Sequence, residues 1–311
     1  MSSASPELRS VFRRIFFSQA EPRLRSGWRL LLHFLLLAFS LLLFSLPGSL
    51  LTLVWPFTAL PADESQIVLA EVLTLAAFTF ATWVARRRLD HRSLRSLGFK
   101  VDHHVLADLF FGMAVPGLLI GGIYAFESSA GWLHFEGWAW QTNPAPAVLR
   151  DLGVFLILFV FTGFEEELVS RGYQLQNLAE GVSLPWAVFL SSAIFSALHL
   201  ANPGANGASV LGIMGAGYFL AYAWVRTGQL WLSIGLHIGW NFFEGVVFGF
   251  PVSGLSIFRL IEHRVSGPAL ITGGDFGPEA GLVVLPALAL GALLIRLYTA
   301  RRRAPPPASD V

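Results

Sequence analysis

Long apolar blocks alternate with short polar loops along almost the whole chain, and most blocks approach the roughly 20 residues a helix needs to cross a bilayer. The first, 30–55, holds Pro47-Gly48, which predicts a bend or an early end. The second, about 66–85, stops at Arg86-Arg87-Arg88, and the third covers about 105–125. A fourth starts near 147 and closes only by including the acids of GFEEELVSRG, with Arg171 marking its edge and a polar link, GYQLQNLAEGVS, after it. Pro185, with Ser183 as a cap ahead of it, opens a fifth span to about 200. Spans at 208–225, 230–250 and about 280–298 complete an all-α, polytopic membrane protein of about eight helices.

Charge sets the expected orientation. Arginine runs and Lys100 fall in alternate loops, whereas the exit from the third span has neither Lys nor Arg and three tryptophans, Trp132, Trp138 and Trp140. By the positive-inside rule both termini are cytoplasmic. Residues 1–28 read as a retained cytoplasmic lead-in, 29–300 as one transmembrane domain, and 301–311 as a disordered basic, proline-rich tail.

Composition agrees: 54% of residues are hydrophobic, 13% are charged and the mean hydropathy is +0.61. A net charge of +1 spread over loops does not suggest a nucleic-acid partner. The chain has no cysteine, so a disulfide, a thiolate metal site and a cysteine nucleophile are excluded, and any metal must use His, Asp or Glu. The glycines of the sixth span, Gly212, Gly215 and Gly217, permit close packing within the chain or between chains, and oligomeric state stays open.

Ionisable groups inside an apolar block point to function. Glu167 and Arg171 are four apart, share a helix face and can pair. Glu166 points about 100° away and is free to face a cavity as a base for water. Beside that reading stands a solvated acid cluster at the membrane edge. His199 follows Phe195 by one turn in the fifth span, and His237 and Asn241 share a face of the seventh. Together these residues offer amide hydrolysis a base, imidazoles and an amide donor for an oxyanion. Glu166, His199 and His237 would also make a catalytic zinc set with an open position. Glu244, seven after His237, reads as a partner of that set, a substrate contact or a packing residue, and Glu165 adds a third acid beside the pair. His33 and Glu71 read as helix-contact groups.

EELVSRG, FSALH and HIGWN, in that order, resemble the three motifs of the CPBP family of intramembrane proteases, which includes the type II CAAX prenyl proteases (Rce1-like) and the bacterial Abi proteins. The resemblance covers about residues 90–250. It implies an endopeptidase acting on a membrane-associated, lipidated or unlipidated peptide or protein, with a site between helices 4, 5 and 7. Glu166 would activate water with His199, Arg171 would orient the Glu166-Glu167 pair, and His237 and Asn241 would bind a metal or stabilise the oxyanion. A divalent metal such as zinc and a metal-independent glutamate mechanism both fit. A catalytically silent scaffold of the same fold and an ion-coupled transporter are the competing classes, and neither a repeat nor paired broken helices supports the transporter.

Overall fold

The computed structural model describes residues 13–18, 21–54 and 62–302. The expectations for 1–12 and for the tail from 303 onward lie outside them. Helices dominate: α1 Ser26–Val54, α2 Ala62–Arg88, α3 Val105–Ser129, α4 Ala145–Glu167, α5 Leu175–Gly181, α6 Leu184–Leu198, α7 Gly207–Thr227, α8 Trp231–Asn241 and α9 Val284–Tyr298. The protein is thus a polytopic helical membrane protein. Among the described residues six helical stretches are long and apolar enough to cross a membrane: Ser26–Leu46, Gln66–Arg88, Val105–Ser129, Ala145–Gly181, Leu184–Ala201 and Gly207–Thr227. The expected seventh and eighth spans are shorter: α8 continues only to Val247, and α9 covers Val284–Tyr298. At Pro47-Gly48 the backbone stays helical to Val54.

One difference matters for the site. The fourth span does not end at the acids, and the polar link after them is not a loop. A π-helical turn, Leu168–Gln174, joins α4 to α5, so the helical path runs to Gly181. Its polar side chains, Arg171, Gln174 and Asn177, are buried against neighbouring helices, which is why a stretch that reads as an aqueous edge lies inside the bundle. Arg171 is 1% exposed and marks no edge.

The main core joins α3, α7, α8 and α9 through Val115, Leu119, Phe219, Leu236, Trp240 and Leu288. Large apolar side chains such as Leu35, Phe110, Leu118, Ile157 and Leu211 remain exposed, as lipid-facing groups do. Glycines make α3 and α8 nearly touch: a Cβ on Gly235 would lie 2.6 Å from the Leu109 carbonyl oxygen, and one on Gly112 2.8 Å from that of Leu232. The glycines of α7 also serve contacts within the chain. Gly217 faces Ser192 of α6, Gly215 faces Leu288 of α9, and Gly212 faces the backbone of Glu279.

The arginine-rich end is pinned by charge. Asp90 accepts from Arg29 Nη1 at 2.6 Å and Arg86 Nη1 at 2.9 Å, while Glu180 pairs with Arg29, Arg23 and Arg92. His33 lies 3.2 Å from the Thr82 hydroxyl and packs on Tyr173 at 4.1 Å, a helix contact in each case. At the opposite end the loops pair as one antiparallel ribbon, β1 Leu133–Trp138 with β2 Ile261–Val265, a small exception to the all-helical expectation. Trp138 and Trp140 stack there at 4.8 Å.

Candidate active site

α4 carries the three acids at its end, and each has its own surroundings. Glu167 is fully buried and accepts from Arg171 Nη1 at 2.7 Å. Arg171 also donates to the Gly217 carbonyl at 3.2 Å and lies 4.3 Å over the Phe195 ring. Such pairing offsets part of the desolvation of both charges. Glu166, one residue earlier, is 27% exposed and lines a cavity of about 470 Å³. Glu165 is buried on another side, and Glu71 of α2, which accepts from the Thr162 hydroxyl, lines the cavity as well.

Gly163 admits α8 against α4, since a Cβ there would meet Ile238 at 2.8 Å. That approach brings His237 to the acids. Its Nδ1 lies 3.0 Å from Glu167 Oε1, so with a carboxylate as partner Nδ1 is the donor, and Nε2 faces Glu166 Oε2 at 3.8 Å. His199 begins a short turn beyond α6, and its Nδ1 donates to the Phe195 carbonyl at 2.8 Å. Both imidazoles therefore have Nδ1 engaged and Nε2 available. Phe195 packs against both rings, at 4.8 and 6.0 Å. Asn241 lines the same cavity and is 8% exposed.

Glu166 and His199 stand at matching distances from the α5–α6 turn. Glu166 stands 15 residues from Gly181 and His199 15 residues from Leu184, about 22 Å along each path at 1.5 Å per residue. The α5–α6 turn sets both side chains at one level.

Three further residues enter the cavity that their local sequence does not announce. Ser253 stands at φ +48°, its N–H and hydroxyl both donate to Glu279 Oε2, at 2.8 and 2.7 Å, and Asn202 Nδ2 donates to its carbonyl at 2.9 Å. Glu279, in the turn before α9, is 4% exposed. Burial pushes its carboxyl upward, and the Ser253 bonds pull the other way. In the sequence Glu279 is one of two acids, with Asp275, in the glycine-rich stretch before the last span, and nothing local sets it apart. Glu244 is fully buried in the turn Phe242–Val247, and neither carboxylate oxygen has a hydrogen-bond partner among the described residues. It is absent from the residues lining the cavity.

Residues 148–243 match the sequence profile of the type II CAAX prenyl endopeptidase Rce1-like family. The chain is similar to this family over that stretch. All six residues singled out above, Glu166, Glu167, Arg171, His199, His237 and Asn241, fall within it, whereas Glu71, Ser253 and Glu279 come from outside. An uncharacterized protein of Bacillus subtilis (strain 168), YyaK, is 25% identical over 182 residues, which cover 57% of this chain and 60% of that protein. No solved structure matches.

The histidines of this cavity share one feature with metal ligands. Each histidine engages Nδ1 and frees Nε2, as metal-ligating histidines do. Among the described residues, however, no three His, Asp or Glu side chains converge closely enough to hold an ion, so Glu166, His199 and His237 do not form a ligand set in this arrangement.

Proposed function

We propose that the protein is an intramembrane endopeptidase that hydrolyses a peptide bond in a membrane-associated peptide, and that Glu166 is its water-activating base. The observation that carries the reading is the division among the three consecutive acids. Only Glu166 lines the cavity, beside both imidazoles and Asn241. Glu166 takes a proton from water as the oxygen attacks the substrate carbonyl carbon, and the resulting carboxylic acid returns that proton to the leaving nitrogen. Nε2 of His199 accepts the water's other hydrogen and orients it, and the His237 ring borders the same space. Asn241 Nδ2 donates to the oxyanion. Glu167 and Arg171 hold the His237 ring and its tautomer without touching the substrate. The termini lie on the cytoplasmic side, and the substrate is a peptide tail delivered along the membrane, with or without a lipid.

The test is cleavage of lipidated and unlipidated C-terminal peptides by the purified full chain in detergent, with Glu166→Ala and His199→Ala beside the unaltered protein. Cleavage that both substitutions abolish, in protein that still folds, supports the reading. A protein that cleaves none of them, or whose cleavage survives Glu166→Ala, overturns it in favour of a silent scaffold or a different base.

A further inference from the structure

The charge of the cavity is unbalanced. Glu71, Glu166 and Glu279 line it, and among the described residues no Lys or Arg does. Arg171, behind the wall, is engaged by Glu167 and the Gly217 carbonyl.

Glu279 is held in place by three separate features. Gly212 leaves no Cβ where α7 meets the Glu279 backbone. Phe276 and Ala280, on either side of the acid, pack with Phe195 and Ile213 in one buried cluster. Ser253 then donates twice to a single carboxylate oxygen. A turn fixed this firmly presents its carboxyl to the same space as His199, a position that packing alone does not require. A second observation points to a ligand in that space: the Asn241 side chain, 8% exposed, lines the cavity and makes no hydrogen bond among the described residues.

We propose that this acidic wall selects peptides carrying a lysine or arginine side chain near the scissile bond, with Glu279 as the residue that reads it. The inference rests on the endopeptidase reading above. A cationic head at Glu279 gains charge-assisted hydrogen bonds in a site shielded from water. Phe155, Phe159, Val252 and Leu255 line the remainder and suit the alkyl stem. An acidic side chain in the same place meets only like charge.

The experiment uses the purified full chain in detergent. A randomised peptide library digested with it, read by mass spectrometry, supplies a cleaved sequence. Matched peptides then carry lysine, norleucine or glutamate at each position within three of the scissile bond. At one position kcat/KM should fall about tenfold from lysine to norleucine, chiefly through KM, and further with glutamate. The lysine-to-norleucine ratio should drop towards one in Glu279→Gln and shrink in Ser253→Ala, which removes one bond to the acid. Equal cleavage of the lysine and norleucine peptides at every position by the unaltered protein overturns the proposal without touching the endopeptidase reading. So does a ratio that survives Glu279→Gln. A library left uncut overturns both.

Discussion

Glu166 and Glu167 are neighbours in the chain but not in environment: Glu167 is sealed between Arg171 and His237, and Glu166 opens to the cavity. The helix alone produces this split, because consecutive residues point about 100° apart. One acid is thereby tied to Arg171 and His237 while the other borders the cavity.

Substitution should separate the two roles. Glu166→Gln is expected to lower kcat by about 10²–10⁴-fold and to leave the melting temperature in detergent nearly unchanged. Glu167→Gln leaves Arg171 buried without its ionic partner, and removal of one member of a buried pair costs about 3–5 kcal/mol. Its melting temperature should fall clearly. The reverse pattern would assign the catalytic role to Glu167 instead.

The seam between α3 and α8 should tolerate no side chain. A Cβ on Gly235 would meet the backbone of Leu109 and Gly112, which cannot swing aside as a side-chain tip can. Gly235→Ala is expected to destabilise by about 1–3 kcal/mol, as overpacking does. Because His237 is two residues on, peptide cleavage should fall as well. Gly122→Ala, on the same α3 with nothing within 4 Å of the added carbon, is the control expected to keep both stability and activity.

How far the sequence carries depends on the range of the interaction. The Glu167–Arg171 pair could be read from spacing because both partners sit on one helical path. The end of that path could not. Arg171, Gln174 and Asn177 look like residues meeting water, and only contacts with α2, α6 and α7 reveal that they are buried. Glycine packing was legible as a property of the sixth span, but the pairing of Gly112 with the α8 backbone and of Gly235 with the α3 backbone joins two separate helices, which spacing along either one cannot reveal. Glu279 joins the cavity through partners at 212 and 253, which spacing along one element cannot connect.

Asp90 ties the start of α1 to the end of α2. It is 2% exposed and accepts from both Arg29 and Arg86, so Asp90→Asn leaves two guanidinium groups short of a counter-charge. A loss of about 3–5 kcal/mol follows by the same reasoning as for Glu167. Thermal unfolding in detergent would measure it, and a variant as stable as the parent would show that Glu180 alone holds these helices.

Chelation should leave peptide cleavage intact. Among the described residues no three His, Asp or Glu groups lie close enough together to share an ion, so the proposed base is expected to act on water without one. Treatment with EDTA followed by gel filtration is expected to change kcat/KM by less than about twofold, a small effect on the scale of removing a base. Loss of activity that zinc restores would show that the ligands converge only around a bound ion.

Acid should loosen the end of the molecule that carries the ribbon, through His263. This β2 residue pairs with Phe135 in the ribbon and packs against Phe250 at 4.8 Å and Tyr124 at 5.7 Å. Burial, with Arg259 nearby, lowers its pKa to about 4. An unfolded histidine titrates near 6.5, so between about pH 6.5 and 4 the unfolded chain holds the extra proton. The folded state therefore keeps its full stability above that window and loses it as pH falls through it, by up to a few kcal/mol. His263→Phe keeps a ring in the pocket and removes the titration. The expected result is that unfolding curves of the parent and His263→Phe run parallel above pH 7 and diverge below pH 6, with the parent losing stability faster. Parallel curves down to pH 4 would mean that the His263 ring meets water in the native state.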